Sequence, residues 1–393
     1  MIQVECVRNV SDWASLKPEW DALSDAAVMR GFDWLTAWWS SNREEHQLQI
    51  LVAKRGEAVI GILPLALTKH AWMGNTLVFL GSGKVCSDDT GILCTPSDAI
   101  PVADAFADYL ASAPEACRWD HLNLDGVRED NVAMQRFLET LQTRTGSNLE
   151  IKTSPCCWST NLDGGWTKFE ASLSRRIRKI YRQVCRERDA GNSRFELATS
   201  PEQALEFLGH IERLHQLRWK QKGIEGCFSD QAFNAFLKSV VQSLWKQDWF
   251  PGGDGASNGA GPQQRIQIGM LFIDDQPAAG TIGIGDRESL MYYLTGMNTE
   301  FSKVRPGWQV LFAFIQRACE LGCKRIDFLR GDEEYKAQVN ATSVVQHRYV
   351  IASPRWISKV RNAAYRAAAN VKHWWSPPST PVAPVVTCDT SAE

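Results

Sequence analysis

No run of about 18 or more apolar residues occurs in this 393-residue chain, so no membrane-spanning helix is expected. The eleven cysteines form no CxxC pair and no Cys/His cluster with metal-ligand spacing. That argues against zinc and dithiol redox sites and favours reduced, buried thiols. Charge of one sign is also lacking: 43 Lys and Arg stand against 45 Asp and Glu, a formal net charge of −2. Whole-surface attraction to nucleic acid is therefore not expected, although local patches remain open. The opening segment MIQVECVRNVSDW has no basic stretch followed by an apolar one, so no signal peptide and a cytoplasmic location are expected. The Gly-rich stretch around residues 252–261 lacks the Gly-Lys-Ser/Thr ending of a phosphate loop. What is present is ordinary for a folded protein: 44% hydrophobic and 22% charged residues. Sixteen tryptophans are many for this length, and most should be core or groove lining.

The chain is long enough for two domains. Residues 1–157 read as one α/β unit, with strands at Val4–Val10, Gln49–Lys54, Ala58–Leu67, Thr76–Leu80, Trp119–Leu124 and Leu149–Cys156. Helices are expected at Ser15–Ala27, Asp33–Ser40, Val102–Ser112 and Asn131–Thr143. Residues 158–355 read as a second unit with a flexible loop at 251–264. A basic amphipathic helix over 356–375 can lie on an anionic membrane surface, but packing on its own domain is the preferred reading. The Pro-rich tail 376–393 is expected to be disordered.

Within the second unit, Ser174–Asp189 carries Arg175, Arg176, Arg178, Lys179, Arg182, Arg186 and Arg188. Ile177, Ile180, Tyr181 and Val184 recur at helical spacing and would dock one face. The other face can hold phosphates or simply be solvated. A helix from about Pro201 to Lys222 puts His215 and Trp219 on one face. His215 is a possible base, with a structural role the favoured reading. Strands at Arg265–Asp274, Ala278–Asp286 and Leu290–Thr295 follow, joined by turns. Then come a loop with Lys303, Arg305, Pro306 and Gly307, a helix from Trp308 to Leu321, and the strand Arg325–Leu329. Hairpin strands, a crossover helix and a parallel return strand predict a mixed sheet flanked by helices, an α/β (α+β) fold.

The most informative segment is KRIDFLRGDEEYK, Lys324–Lys336. It reads as a strand, a sharp turn in which Gly331 supplies positive φ, and a helix start rich in carboxylates. It delivers Asp332, Glu333, Glu334, Tyr335 and Lys336 to one place, where proton transfer is plausible chemistry. An ordinary capped helix is the plain alternative.

This order of elements resembles the acetyl-CoA-dependent N-acyltransferases of the GNAT superfamily. The run DFLRGDEEYK, preceded by RPGWQVLF, resembles the CelD/BcsL branch named for cellulose biosynthesis, itself related to the Fem aminoacyl transferases. Asp327, Phe328, Gly331, Glu333, Tyr335 and Lys336 fit the branch signature. The resemblance implies tandem GNAT-like domains, the second catalytic, with direct acyl transfer from acetyl-CoA or another acyl-CoA and no metal. The acceptor would be an amine or hydroxyl of a small molecule or glycan precursor, with polysaccharide-synthesis proteins as partners. It implies Glu333 as base or orienting carboxylate with Asp332 behind it, and Tyr335 as the acid that protonates the leaving thiolate. Lys336, Trp219, Tyr292 and Asp327 would line the acceptor site. Lys303, Arg305, Gly307 and Trp308 would face the CoA pyrophosphate.

The loop before that helix departs from the usual Arg/Gln-x-x-Gly-x-Gly/Ala pattern, having one Gly, a Pro and a Trp. Pro306 suits a helix start but contributes no N–H. A Fem-like aminoacyl-tRNA donor, or a non-catalytic scaffold of a polysaccharide-synthesis complex, stays open beside the CoA reading.

Overall fold

The structure is a computed structural model that describes residues 1–71, 73–112, 117–249, 263–361 and 363–364. It divides into two compact units: Met1–Ser154 with the described residues of 345–364, and Pro155–Val344. The division thus falls at 154/155, against 157/158 in the sequence reading. Residues 251–262 of the expected flexible loop, 365–375 of the expected C-terminal helix and the tail 376–393 lie outside the described residues. Residues 356–361 of that helix are helical, and Gln263–Gln264 of the loop form a short strand.

Unit 1 runs β1 (Ile2–Val7), α1 (Val10–Ser15), α2 (Lys17–Ser24), α3 (Phe32–Asn42), β2 (His46–Leu48), β3 (Ile50–Arg55), β4 (Ala58–Leu63), β5 (Leu65–His70), β6 (Gly74–Phe79), β7 (Leu93–Cys94), α4 (Ala99–Ala111), β8 (His121–Arg128) and α5 (Val132–Thr145). Val10, expected in a strand, starts α1 instead because Asn9 caps it, its side chain accepting from Asp12 N. The expected strand Ala58–Leu67 is broken at Pro64. β4 pairs with β3 and β7, while β5 pairs with β2 and β6. Proline cannot donate to a ladder, so it suits the point where the chain changes sheets.

Unit 2 continues with β9 (Glu150–Asn161), whose residues up to Ser154 belong to unit 1, α6 (Gly165–Ser172), α7 (Arg175–Asp189), β10 (Ser193–Leu197), α8 (Pro201–Gln221), α9 (Gln231–Trp245), β11 (Asp248–Trp249), β12 (Gln263–Gln264), β13 (Ile266–Ile273), β14 (Gln276–Asp286), β15 (Ser289–Met297), α10 (Pro306–Glu320), β16 (Arg325–Arg330), α11 (Glu334–Gln338) and β17 (Thr342–Ala352), whose residues from Val345 belong to unit 1. Its main sheet has the order β10-β13-β14-β15-β16-β9. Hairpins make the β13–β14–β15 pairs antiparallel, and the α10 crossover makes β15–β16 parallel. Helices α10 and α8 cover opposite faces. A Cβ added at Gly283 would strike Phe314 of α10, whereas at Gly280 or Gly296 it would strike Ile211 of α8. The core beneath α10 includes Leu290, Tyr292, Val310, Leu311, Phe314, Ile326 and Phe328.

Candidate active site

Strands β15 and β16 pair only at Ser289–Met291 with Arg325–Asp327. Both then run on, β15 to Met297 and β16 to Arg330, each held by its other neighbour, β14 and β9. Two bulges explain the parting. Tyr293 has no opposite residue on β14, because Tyr292 pairs with Gly283 and Leu294 with Ile282. Phe328 has none on β9, because Asp327 pairs with Ser159 and Leu329 with Trp158. An extra residue bends its strand and disrupts the ladder. Here both strands bend at the level where they lose each other. The strands part into a cleft inside the sheet, beyond the last β15–β16 pair, Met291 with Asp327.

The far end of β16 is tightly tied. Leu329 holds φ +57, uncommon for a bulky residue, and Gly331 holds φ +123. Asp327 Oδ1 accepts from Leu329 N at 2.9 Å, an Asx-type contact that supports the turn. Lys336, only 1% exposed, donates from Nζ to the carbonyls of Leu329, Arg330 and Gly331 at 3.3, 3.1 and 3.0 Å. Its ammonium also pairs with Glu333 Oε2 at 2.9 Å, with both side chains buried. Lys336 is thus a brace inside the turn. Glu333 stands at the N-cap of α11 but makes no capping hydrogen bond, its carboxylate being turned to Lys336. Asp332 Oδ1 accepts from Trp158 Nε1 at 3.1 Å.

Tyr335 is 2% exposed, and its ring meets Phe328 edge-on, with centroids 5.8 Å apart. Phe328 in turn meets Tyr292 at 6.1 Å, and Tyr292 packs on Phe314 at 5.9 Å. The structure therefore gathers Tyr292, Asp327, Glu333, Tyr335 and Lys336 around the open end of β16, with Asp332 beside them on Trp158. Tyr292 is part of the core under α10, while Tyr293 on the bulge is half-buried.

A second cluster lies at the start of α10. A pocket there is lined by Met297, Asn298, Thr299, Ser302, Arg305, Pro306, Gly307 and Trp308. The first intrahelical bond is donated by Gln309 N to Arg305 O. The N–H groups of Gly307 and Trp308 precede it, and such groups, with the helix dipole, favour anions. Arg305 adopts φ 55, ψ 58 at the N-cap. It is held by Gln183 of α7, which accepts from Arg305 Nε and donates to Lys303 O, both at 3.4 Å. Lys303 is exposed. The basic helix thus stands beside this loop. Arg176, Lys179 and Arg186 occupy positions flanking Gln183 on α7.

Trp219 is placed in a group of its own. Its Nε1 donates to His215 Nε2 at 2.8 Å, with Cys227 Sγ 3.7 Å from the same nitrogen. Burial pushes the His215 imidazole down to about 4, with Arg218 adding to the effect. It is therefore neutral near pH 7 and poorly suited to act as a base there. The sequence reading missed the two bulges, Trp158 and the left-handed Leu329. Only an Asp two residues before Leu329 hinted at the turn. Among the described residues no group of His, Cys, Asp and Glu could hold a metal. No helix among them is long and apolar enough to cross a membrane.

Residues 174–337 match the family model described as an acetyltransferase (GNAT) domain. No curated protein matches the chain. Among solved structures, a crystal structure of FemX is similar with TM-score 0.58 and 12% identity, over 84% of this chain and 95% of that one. A conserved protein of unknown function from Bacteroides thetaiotaomicron VPI-5482 is similar with TM-score 0.50 and 11% identity, over 90% and 100%. A tandem GNAT protein from the clavulanic acid biosynthesis pathway is similar with TM-score 0.47 and 11% identity, over 90% and 99%. At these identities the likeness is one of fold, and the segment 174–337 that carries the cleft is the part that matches the GNAT domain.

Proposed function

We propose that the chain is an acyltransferase that moves an acyl group, acetyl or longer, from a CoA thioester to an amine or hydroxyl. The observation that carries this is the cleft between β15 and β16, which opens beside the anion-favouring start of α10. A pantetheine-like arm is an extended chain with amide groups, and it could lie between β15 and β16 beyond the point where their ladder ends. Gly307 and Trp308 N–H, with Lys303 and Arg305, would hold the pyrophosphate.

The acceptor attacks the thioester carbonyl directly. Its proton passes to Glu333 or to water ordered by it, and Tyr335 protonates the leaving thiolate. Asp332 orients the acceptor through the Trp158 edge. Lys336 acts through the turn it braces, since its donors are taken up by three carbonyls and Glu333. Asp327 likewise holds the turn through Leu329 N. Tyr292 shapes the wall beside Phe328, whereas Trp219, packed with His215 on α8, takes no part. A cell-envelope or exopolysaccharide precursor as acceptor follows from the CelD/BcsL resemblance.

A second reading is a Fem-like aminoacyl-tRNA donor. Its support is α7, where Arg175, Arg176, Arg178, Lys179, Arg182 and Arg186 form no ion pair among the described residues. Calorimetry with acetyl-CoA and a longer acyl-CoA tests the proposal, with Lys303→Ala/Arg305→Ala as control. Saturable binding that weakens in the control is expected. Binding to neither thioester, with retention of RNA, would favour the second reading.

A further inference from the structure

The first turns of the C-terminal helix are amphipathic in an inverted sense. Their polar side faces unit 1. Ser358, fully buried, donates to Asp120 Oδ1 at 2.7 Å. Arg355 and Arg361 reach the same carboxylate at 3.3 and 3.0 Å, and Asn75 N donates to it as well, at 3.0 Å. Lys359 donates to Thr145 O at 3.2 Å. The apolar side faces outward: Trp356 is 73% exposed and Val360, one turn on, 58%. A helix that packs on its own domain ordinarily buries such a face. Here polar anchors hold it with Trp and Val outward.

The surroundings are cationic. Arg355, Lys359 and Arg361 belong to the segment itself. Exposed Arg118 offers its carbonyl to Asn75 Nδ2, and exposed Lys69 lies opposite Asn75 in the β5–β6 ladder. The buried Asp120 pairs with two of these, Arg355 and Arg361. We propose that this face, centred on Trp356 and Val360, docks on an anionic lipid surface. Trp and Val would enter the headgroup boundary, and the exposed parts of Lys359 and Arg361 at its edge would meet lipid phosphates. This inference stands independently of the acyl-transfer reading.

The test is flotation of the full chain with phosphatidylcholine vesicles, and with the same vesicles carrying about one third phosphatidylglycerol. Capture is expected with the anionic vesicles only, weakening as salt rises from about 0.1 to about 0.5 M. Trp356→Ser/Val360→Ser, at exposed positions, should reduce capture at least about tenfold with unchanged circular dichroism and melting temperature. No capture by anionic vesicles, capture that the double variant does not reduce, or equal capture by both vesicle types would overturn the proposal. So would a dimer in sedimentation that the double variant abolishes, which would assign the face to a second copy.

Discussion

Lys336 carries a full charge where water does not reach, and what surrounds it is three carbonyl oxygens and Glu333. An ion pair of this kind contributes little net stability against an apolar pair, but breaking it leaves a buried charge alone. Lys336→Met should therefore cost about 3–5 kcal/mol in urea unfolding, because Glu333 stays buried without its ammonium. Lys336→Met/Glu333→Gln should recover part of that loss, and equal losses in the single and double variants would refute the coupling. Catalytic roles need a different readout. In the proposed mechanism Tyr335→Phe lowers kcat by roughly 10²–10⁴-fold. Glu333→Gln lowers it too and also loosens the turn, so its kcat is to be compared at matched folded fraction. Full turnover by Tyr335→Phe, measured as CoA thiol release, would remove the phenol from the mechanism.

At the level of elements, the cleft depends on single extra residues and on glycines. The bulge at Tyr293 reverses which face each later residue of β15 meets, so Tyr292 packs under α10 while Gly296 lies against α8. A Cβ at Gly296 would come within 2.5 Å of Ile211 O and 3.0 Å of His215 N, both backbone atoms. Gly296→Ala should therefore push α8 from the sheet and destabilise by about 1–3 kcal/mol. A melting temperature equal to the parent would show that α8 yields freely. The hairpins, the crossover helix and the strand before Tyr335 were legible in sequence, because alternation and a 3.6-residue period report burial directly. The bulges were not, since no residue type marks a register shift at Ile282–Leu294 or Ser159–Leu329. Lys336 gave the same difficulty. Its sequence position after Tyr335 suggested a substrate contact, and only the fold shows that the preceding turn curls three carbonyls around it. The break at Pro64 was missed, because the run Ala58–Leu67 around it is so uniformly apolar that it reads as one strand.

Over the whole molecule the buried titratable groups set the response to acid. His215 in unit 2 is held down to about 4 by desolvation, and His121 in unit 1 is lowered for the same leading reason. Each is neutral in the native state, while in the unfolded chain each takes up a proton near its ordinary value of 6.5. As pH falls below 6.5 the unfolded state binds more protons, so stability decreases until the native imidazole also titrates. For His215 that window runs from 6.5 to about 4, a loss of about 3 kcal/mol. Asp120 acts in a lower window. Although burial raises it, Ser358, Asn75, Arg361 and Arg355 together hold its carboxyl below its ordinary value. The stability it gives is present above that value and is lost as pH falls further, through the native titration. Urea unfolding of the full chain should therefore show decreasing stability from pH 6.5 downward and a further decrease below about pH 4. His215→Gln should reduce the first slope, leaving the part due to His121, and leave the second intact. Asp120→Asn should flatten the second and release the segment around Trp356 to proteolysis even at neutral pH. A first slope unchanged in His215→Gln would mean that the imidazole is already charged in the native protein, and the Trp219–His215 hydrogen bond, which requires a neutral acceptor nitrogen, would then be absent in solution.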